Sequence, residues 1–499
     1  MVQPERVKNT TGEAPRAHSL IAGRRALSLV FNTLTFVVFF AIVVALHSLP
    51  LKWTTRKINL LIASYIFYAA WNPPFILLLW ISTVVDWYAA QGLVRAQRPS
   101  SRRAWMLLSV VANLGMLSYF KYGTFLLHNF TALMAAIGVD YHPPEIDIVL
   151  PVGISFYTFA TMSYTLDVYL RRALPARSFL DYALFVTFFP HLVAGPIMRP
   201  TELVPQFETP RCASLQQLCF GLGLMTLGLF NKVVLADTFL AGAAERVFDR
   251  GKLPGVVDAW AGTLAFSGQI FCDFAGYSTT AIGAALCLGF NMPDNFRFPY
   301  AAVGFSDFWR RWHITLSSWL RDYLYIPLGG NRHGPARTNI ALITTMLLGG
   351  LWHGANWTFV AWGGAHGTYL IAERSLRARF ANYRPGPWAM IGLGFLTYTL
   401  INVTWVFFRA KDFTTAWHVL GGMAGFNAHA KPILATVFLV AVAAITPAIL
   451  AAHWYMRDRT LESVIERTPP IVIGLLWGLM AFAIVISQGS GNAFIYFQF

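Results

Sequence analysis

Apolar runs of helical length follow one another along nearly the whole chain. The first, about 26 to 48, is long enough to cross a hydrocarbon layer of ~30 Å. Others lie near 58 to 93 (broken at Asn72-Pro73-Pro74), 104 to 122, 148 to 169, 214 to 235, 257 to 290, 338 to 372, 388 to 408, 433 to 452 and 470 to 488. Counting the broken runs as pairs gives roughly eleven to thirteen crossings, so the pattern predicts an all-α, polytopic membrane protein. Two apolar stretches interrupted by proline or polar residues, 180 to 197 and 410 to 426, read as re-entrant. Such backbone is tolerated only where protein or a water-filled cavity shields it, which predicts helices around a central funnel. No soluble stretch of domain size separates the runs. The organisation expected is a disordered basic tail, 1–25, and a single transmembrane domain, 26–499.

Phe305 to Leu328 has a different period. Trp309, Trp312, His313, Leu316, Leu320 and Leu324 recur at three- and four-residue spacing, with Arg310, Arg311, Arg321 and Asp322 on the polar sides. This predicts an amphipathic helix at the interface, where a plain lipid anchor and a functional element are equally served by the pattern.

Composition agrees with lipid as the main solvent: 56% of the 499 residues are hydrophobic and 12% charged. The 38 Lys plus Arg exceed the 23 Asp plus Glu, and the excess gathers in short loops: Arg95, Arg98, Arg102 and Arg103; Arg171, Arg172 and Arg177; Arg374, Arg377, Arg379 and Arg384; Arg457 and Arg459. Placing all four loops in the cytoplasm gives a consistent orientation and puts the C-terminus outside. No basic stretch interleaved with aromatics suggests a nucleic-acid partner. Cys212, Cys219, Cys272 and Cys287 lack metal-site spacing and read as small packing residues.

The chemistry-bearing candidate is His353, an imidazole inside the apolar run Met346 to Gly367 with six glycines around it. Ionisable groups in such places are costly and are functional candidates by default. Helical spacing places Asn356 one turn from His353, within reach of the ring or a substrate carbonyl. The plain alternative is a neutral histidine satisfied by one interhelical hydrogen bond. His142 to Asp147 fits an HxxxxD spacing, but two prolines put it in a loop. There is no GxSxG elbow, Walker A loop or HExxH, so hydrolase, ATPase and zincin readings lack support.

At these segments the chain resembles the membrane-bound O-acyltransferase superfamily, in particular the bacterial branch that includes the alginate O-acetylation membrane component. The likeness runs through Ser64 to Trp71, Leu150 to Phe159, Phe189 to Ile197, Phe271 to Ser278, Trp309 to Pro327, Trp352-His353-Gly354 and Trp405 to Ala410. It implies a catalytic histidine at His353 and a second catalytic or orienting one at His313, with Trp352 and Asn356 at the substrate. It also implies an acyl thioester donor, acetyl-CoA, with no permanently bound cofactor or metal, a periplasmic acetyltransferase partner and a polysaccharide as final acceptor. The terminal Phe494-Ile495-Tyr496-Phe497-Gln498-Phe499 resembles a pattern of that branch in which the tyrosine relays the acyl group; the alternative is an aromatic anchor. D-alanyl or other acyl transfer from a carrier protein stays open, as does, from another class, a transporter or export channel.

Overall fold

The computed structural model describes residues 29, 31–144, 148–193 and 195–487. The tail 1–25, Tyr496 and the Glu145–Asp147 end of the HxxxxD match lie outside the described residues. Among the described residues every regular element is a helix, because a bilayer leaves the backbone no other open-ended way to satisfy its polar groups.

Among the described residues, six helical stretches are both long and apolar enough to span unaided: Pro73–Arg95, Pro99–Ala136, Leu215–Phe248, Val256–Cys287, Pro387–Arg409 and Thr436–Met456. Leu34–Ser48 and Pro470–Ile486 are shorter apolar helices. Of the other predicted crossings, Trp53–Ala69 and Gly334–His353 still present large apolar side chains such as Ile62 and Ile340 outward. Ile154–Tyr169 is instead enclosed by protein, with Ser155, Thr158, Thr161, Ser163, Thr165 and Asp167 all buried. Its Thr165 meets Asp86, which also accepts from Asn113 at 2.7 Å and from Ser109, a polar knot tying three helices.

Val256–Cys287 is the hub. It packs against Leu215–Leu229 through facing glycines: a Cβ at Gly276 would stand 2.6 Å from the Gly228 carbonyl oxygen, and one at Gly221 would stand 2.7 Å from that of Gly283. Small residues of this kind let backbones approach where lipid supplies no hydrophobic drive. Beside that seam Lys232 is buried between Asp237, at 2.8 Å, and Asp273, paired as an intramembrane charge must be.

The interrupted stretches differ from one another. Residues 180 to 193 form two short helices, Phe179–Thr187 and Phe189–Leu192, almost wholly enclosed by protein. The 410 to 426 stretch is instead an 11-residue helix, Phe413–Met423, capped by Asp412 and amphipathic: Ala416, Val419 and Gly422 are buried while Phe413 and Trp417 are exposed. Of the cysteines only Cys272 and Cys287 are buried; Cys212 and Cys219 are exposed.

The expected interfacial helix over Phe305 to Leu328 is not one helix. Phe305–Arg311 stops, His313 takes a left-handed φ of +42°, Ile314–Leu320 restarts, and Arg321–Tyr325 closes in a π-turn. The shared face faces protein, with Trp312, His313 and Leu316 at 0–1% exposure. Both ends sit against basic loops: Glu373 accepts from the Ser306 amide, Arg311 donates to the Arg457 carbonyl, and Arg199 pairs with Asp322 at 3.0 Å. The segment therefore dips inward and returns to the same end of the molecule.

Candidate active site

The helix Gly334–His353, here the histidine helix, ends on His353 itself. Gly354 is extended, and Asn356 starts the next helix, Trp357–Arg379, by accepting from the Thr358 amide at 3.0 Å. Asn356 is thus not one helical turn from His353, since the helix has already stopped; its amide nitrogen donates to the Lys411 carbonyl at 2.8 Å. The sharp reversal lets the two helices pack antiparallel with Gly350 against Gly363.

The imidazole of His353 is 2% exposed and held edge-on in an aromatic box. Ring centroids of Trp362, Trp352 and Phe408 lie at 5.0, 5.1 and 5.2 Å. Trp352 also reaches His313, at 6.0 Å, so one indole links the two imidazoles. His313 Nδ1 stands 3.1 Å from Asn295 Oδ1, and that oxygen also accepts from the Thr315 hydroxyl at 2.9 Å. An oxygen accepting from Thr315 makes Nδ1 the protonated nitrogen, so Nε2 carries the lone pair. Nε2 is buried with no hydrogen-bond partner among the described residues, as is the indole N–H of Trp352.

Three participants were not foreseen. His366, fully buried, shares the box through Trp362 (4.7 Å) and meets the Thr404 hydroxyl at 3.0 Å. Lys121 and Tyr122 hold the end of the histidine helix: Lys121 Nζ donates to the carbonyls of Trp352, 2.6 Å, and His353, 3.1 Å, and Tyr122 to that of Leu351, 2.9 Å. The signal for Lys121 was in plain view, a lone cation at the end of an apolar run.

Two clefts flank this centre. One is lined by Lys121, Leu150 to Phe156, Val193 and Trp352. Gly153 at its floor has φ +74°, and a Cβ there would stand 2.7 Å from the Leu192 carbonyl oxygen, so glycine is required. The second is charged: Asp167, Arg172, Arg199, Thr201, Glu202, Ser318, Arg321 and Asp322. Desolvation pushes the Glu202 carboxyl above its usual range, and the hydrogen bonds that Arg321 donates to Asp322 raise its guanidinium. The clefts lie at opposite ends of Ile154–Tyr169, ~20 Å apart by helical rise from Ile154 to Asp167. Between them runs a wall of rings, Trp319 on Phe159 at 3.9 Å and Phe159 on Trp352 at 5.4 Å. The first cleft stops at Trp352, one ring short of His353.

Fold, buried histidines and sequence define a polytopic membrane acyl-transfer enzyme: the chain belongs to the membrane-bound O-acyltransferase (MBOAT) family, whose model matches residues 170–408. It is 42% identical to a probable alginate O-acetylase AlgI of Azotobacter vinelandii over 404 residues, 80% of this chain and 79% of that one. It is 38% identical to a peptidoglycan O-acetyltransferase of Helicobacter pylori, covering 82% of each chain. A teichoic acid D-alanyltransferase of Bacillus subtilis is 27% identical over 55% of this chain and 72% of its own.

Proposed function

We propose that this O-acyltransferase moves an acetyl group from a cytoplasmic thioester to a hydroxyl reached from the outer face of the bacterial inner membrane, for O-acetylation of an exported or cell-surface polysaccharide. The observation that carries the reading is the pair of clefts at the two ends of Ile154–Tyr169, with Trp352, whose ring meets both imidazoles, lining the one that holds Lys121. Basic loops gather at the end holding Arg172, Arg199 and Arg321, which by the positive-inside rule is the cytoplasmic end. Guanidinium groups there suit the phosphates of acetyl-CoA. The Lys121 cleft then faces outward, towards the acceptor.

His353 accepts the proton of the acceptor hydroxyl as its oxygen attacks the thioester carbonyl; the C–S bond breaks and the thiolate leaves with that proton. The indole N–H groups of Trp352 and Trp362, both buried without a hydrogen-bond partner among the described residues, are candidate donors to the developing oxyanion. His313, with its lone pair at Nε2, suits holding or orienting a hydroxyl proton and not stabilising an oxyanion. Asn356, tied to Lys411, shapes the turn after His353. A periplasmic acetyltransferase partner collects the group. The alginate and peptidoglycan acetylating relatives favour acetyl and a glycan acceptor.

Reconstituted vesicles test this. Labelled acetyl-CoA at the face carrying Arg199 is expected to acetylate a hydroxyl acceptor at the opposite face, and a D-alanyl carrier protein is not. Label crossing without ester formation would make the chain a transporter instead. For the terminal tyrosine, mass spectrometry of the C-terminal peptide is expected to show acetyl-tyrosine at Tyr496 during turnover and none in Tyr496→Phe. Full transfer by Tyr496→Phe removes the relay while leaving the enzyme reading intact.

A further inference from the structure

The last four carbonyls of an α-helix have no donors within the helix, and an apolar interior offers little water to satisfy them. The histidine helix ends in such a place. Its Leu351, Trp352 and His353 carbonyls are all taken by two consecutive residues of one neighbouring turn, Tyr122 and Lys121. That turn, Ser118–Tyr122, is a π-turn inserted between the helices Pro99–Leu117 and Gly123–Ala136. Widening the turn re-aims both side chains, and such bulges recur at functional sites. An ammonium beside helix C-terminal carbonyls is further favoured by the helix dipole. Lys121 also lies 5.5 Å over the Trp352 ring and lines the outer cleft. It belongs to a part of the chain, before residue 170, that the family model does not match.

We propose that Lys121 is a positioning residue for the transfer reaction, a clamp that sets where the histidine helix stops and so where the His353 ring and the Trp352 indole stand; this rests on His353 being the catalytic base. Lys121 touches main chain rather than imidazole, so it acts through the register of the helix end. Without it two carbonyls lose their donor in a dry place. The terminal turn then rearranges to find others, and a ring displaced by ~1 Å costs on the order of 100-fold in rate.

The full-length enzyme is assayed with labelled acetyl-CoA and an alginate oligosaccharide, in wild type, Lys121→Met, Lys121→Arg, Tyr122→Phe and His353→Ala. Lys121→Met is expected to lower kcat about 100-fold with KM for acetyl-CoA within about twofold. Lys121→Arg, which keeps the cationic donor, is expected to recover to within about tenfold of wild type, and Tyr122→Phe, which removes one of three bonds, to lose about fivefold. A residue needed only for folding would instead lower the yield of folded protein and leave kcat per folded molecule unchanged. The clamp is overturned if Lys121→Met keeps kcat within about threefold, or if only KM rises, which would make Lys121 a substrate contact. Should Lys121→Met fail to accumulate, Lys121→Arg and Tyr122→Phe decide, and wild-type kcat in both overturns it. Wild-type transfer by His353→Ala would overturn the base assignment, whereas an inactive His353→Ala beside a near-normal Lys121→Met sinks the clamp alone.

Discussion

Replacing His353 by alanine is expected to lower kcat for acyl transfer by about 10³-fold while the protein still reaches the membrane. General base catalysis by a placed imidazole contributes on that scale, and His366 does not substitute for it. His366 faces His353 across the Trp362 indole and is engaged by the Thr404 hydroxyl. His313 is anchored through Nδ1 to Asn295 on a different segment and cannot swing into the vacated position without losing that bond. The substitution also empties part of an aromatic box, at a cost of roughly 2–4 kcal/mol, so activity is to be normalised to folded protein by thermal unfolding in detergent. His353→Gln, closer in volume and without a useful base, is expected to fold better and to be as inactive. An active His353→Gln would show that the ring supplies packing and not proton transfer.

Gly350→Ala is expected to be strongly damaging for a single added methyl. A Cβ there would run into the Phe359 carbonyl oxygen and stand 3.1 Å from the Gly363 Cα, both backbone atoms that no rotamer can move aside. The two helices must separate, with a destabilisation of about 1–3 kcal/mol, and the reversal that carries His353 moves with them, so kcat is expected to fall about 100-fold. Gly364→Ala, next to Gly363 on the facing helix, is the control: its Cβ would meet only the Leu347 Cδ2, at 3.4 Å, an ordinary contact. Melting temperature and kcat measured on the pair should diverge sharply. Equal behaviour would show that the Gly350–Gly363 approach does not hold the site.

Much of the architecture was legible because membrane physics writes it in one dimension. A run such as Pro387–Arg409 or Thr436–Met456 is apolar over the length a bilayer demands, and no tertiary knowledge is needed to see it. The basic loops were legible for the same reason, and Arg102 reaching the Tyr169 carbonyl at 3.0 Å joins two of them at one end of the molecule. His353 stood out as a polar residue where the local pattern forbids one. The periodicity over Phe305 to Leu328 misled, since three- and four-residue spacing identifies a common face but not whether lipid or protein covers it. A left-handed residue such as His313 leaves no mark in that spacing. Asn356 was misplaced by assuming that the histidine helix continued through Gly354.

By itself, then, the sequence determined the solvent, the helical class, the family and the two imidazoles worth testing, because each is carried by local period or by contiguous residues. Tertiary structure alone decided what holds those imidazoles. Lys121 caps His353 from 232 positions away, Asn295 sets the tautomer of His313 from outside its helix, and one indole stands between the rings. Satisfying a buried polar group is a requirement of three-dimensional neighbours, and the chain can meet it from any segment that folding brings within hydrogen-bond reach.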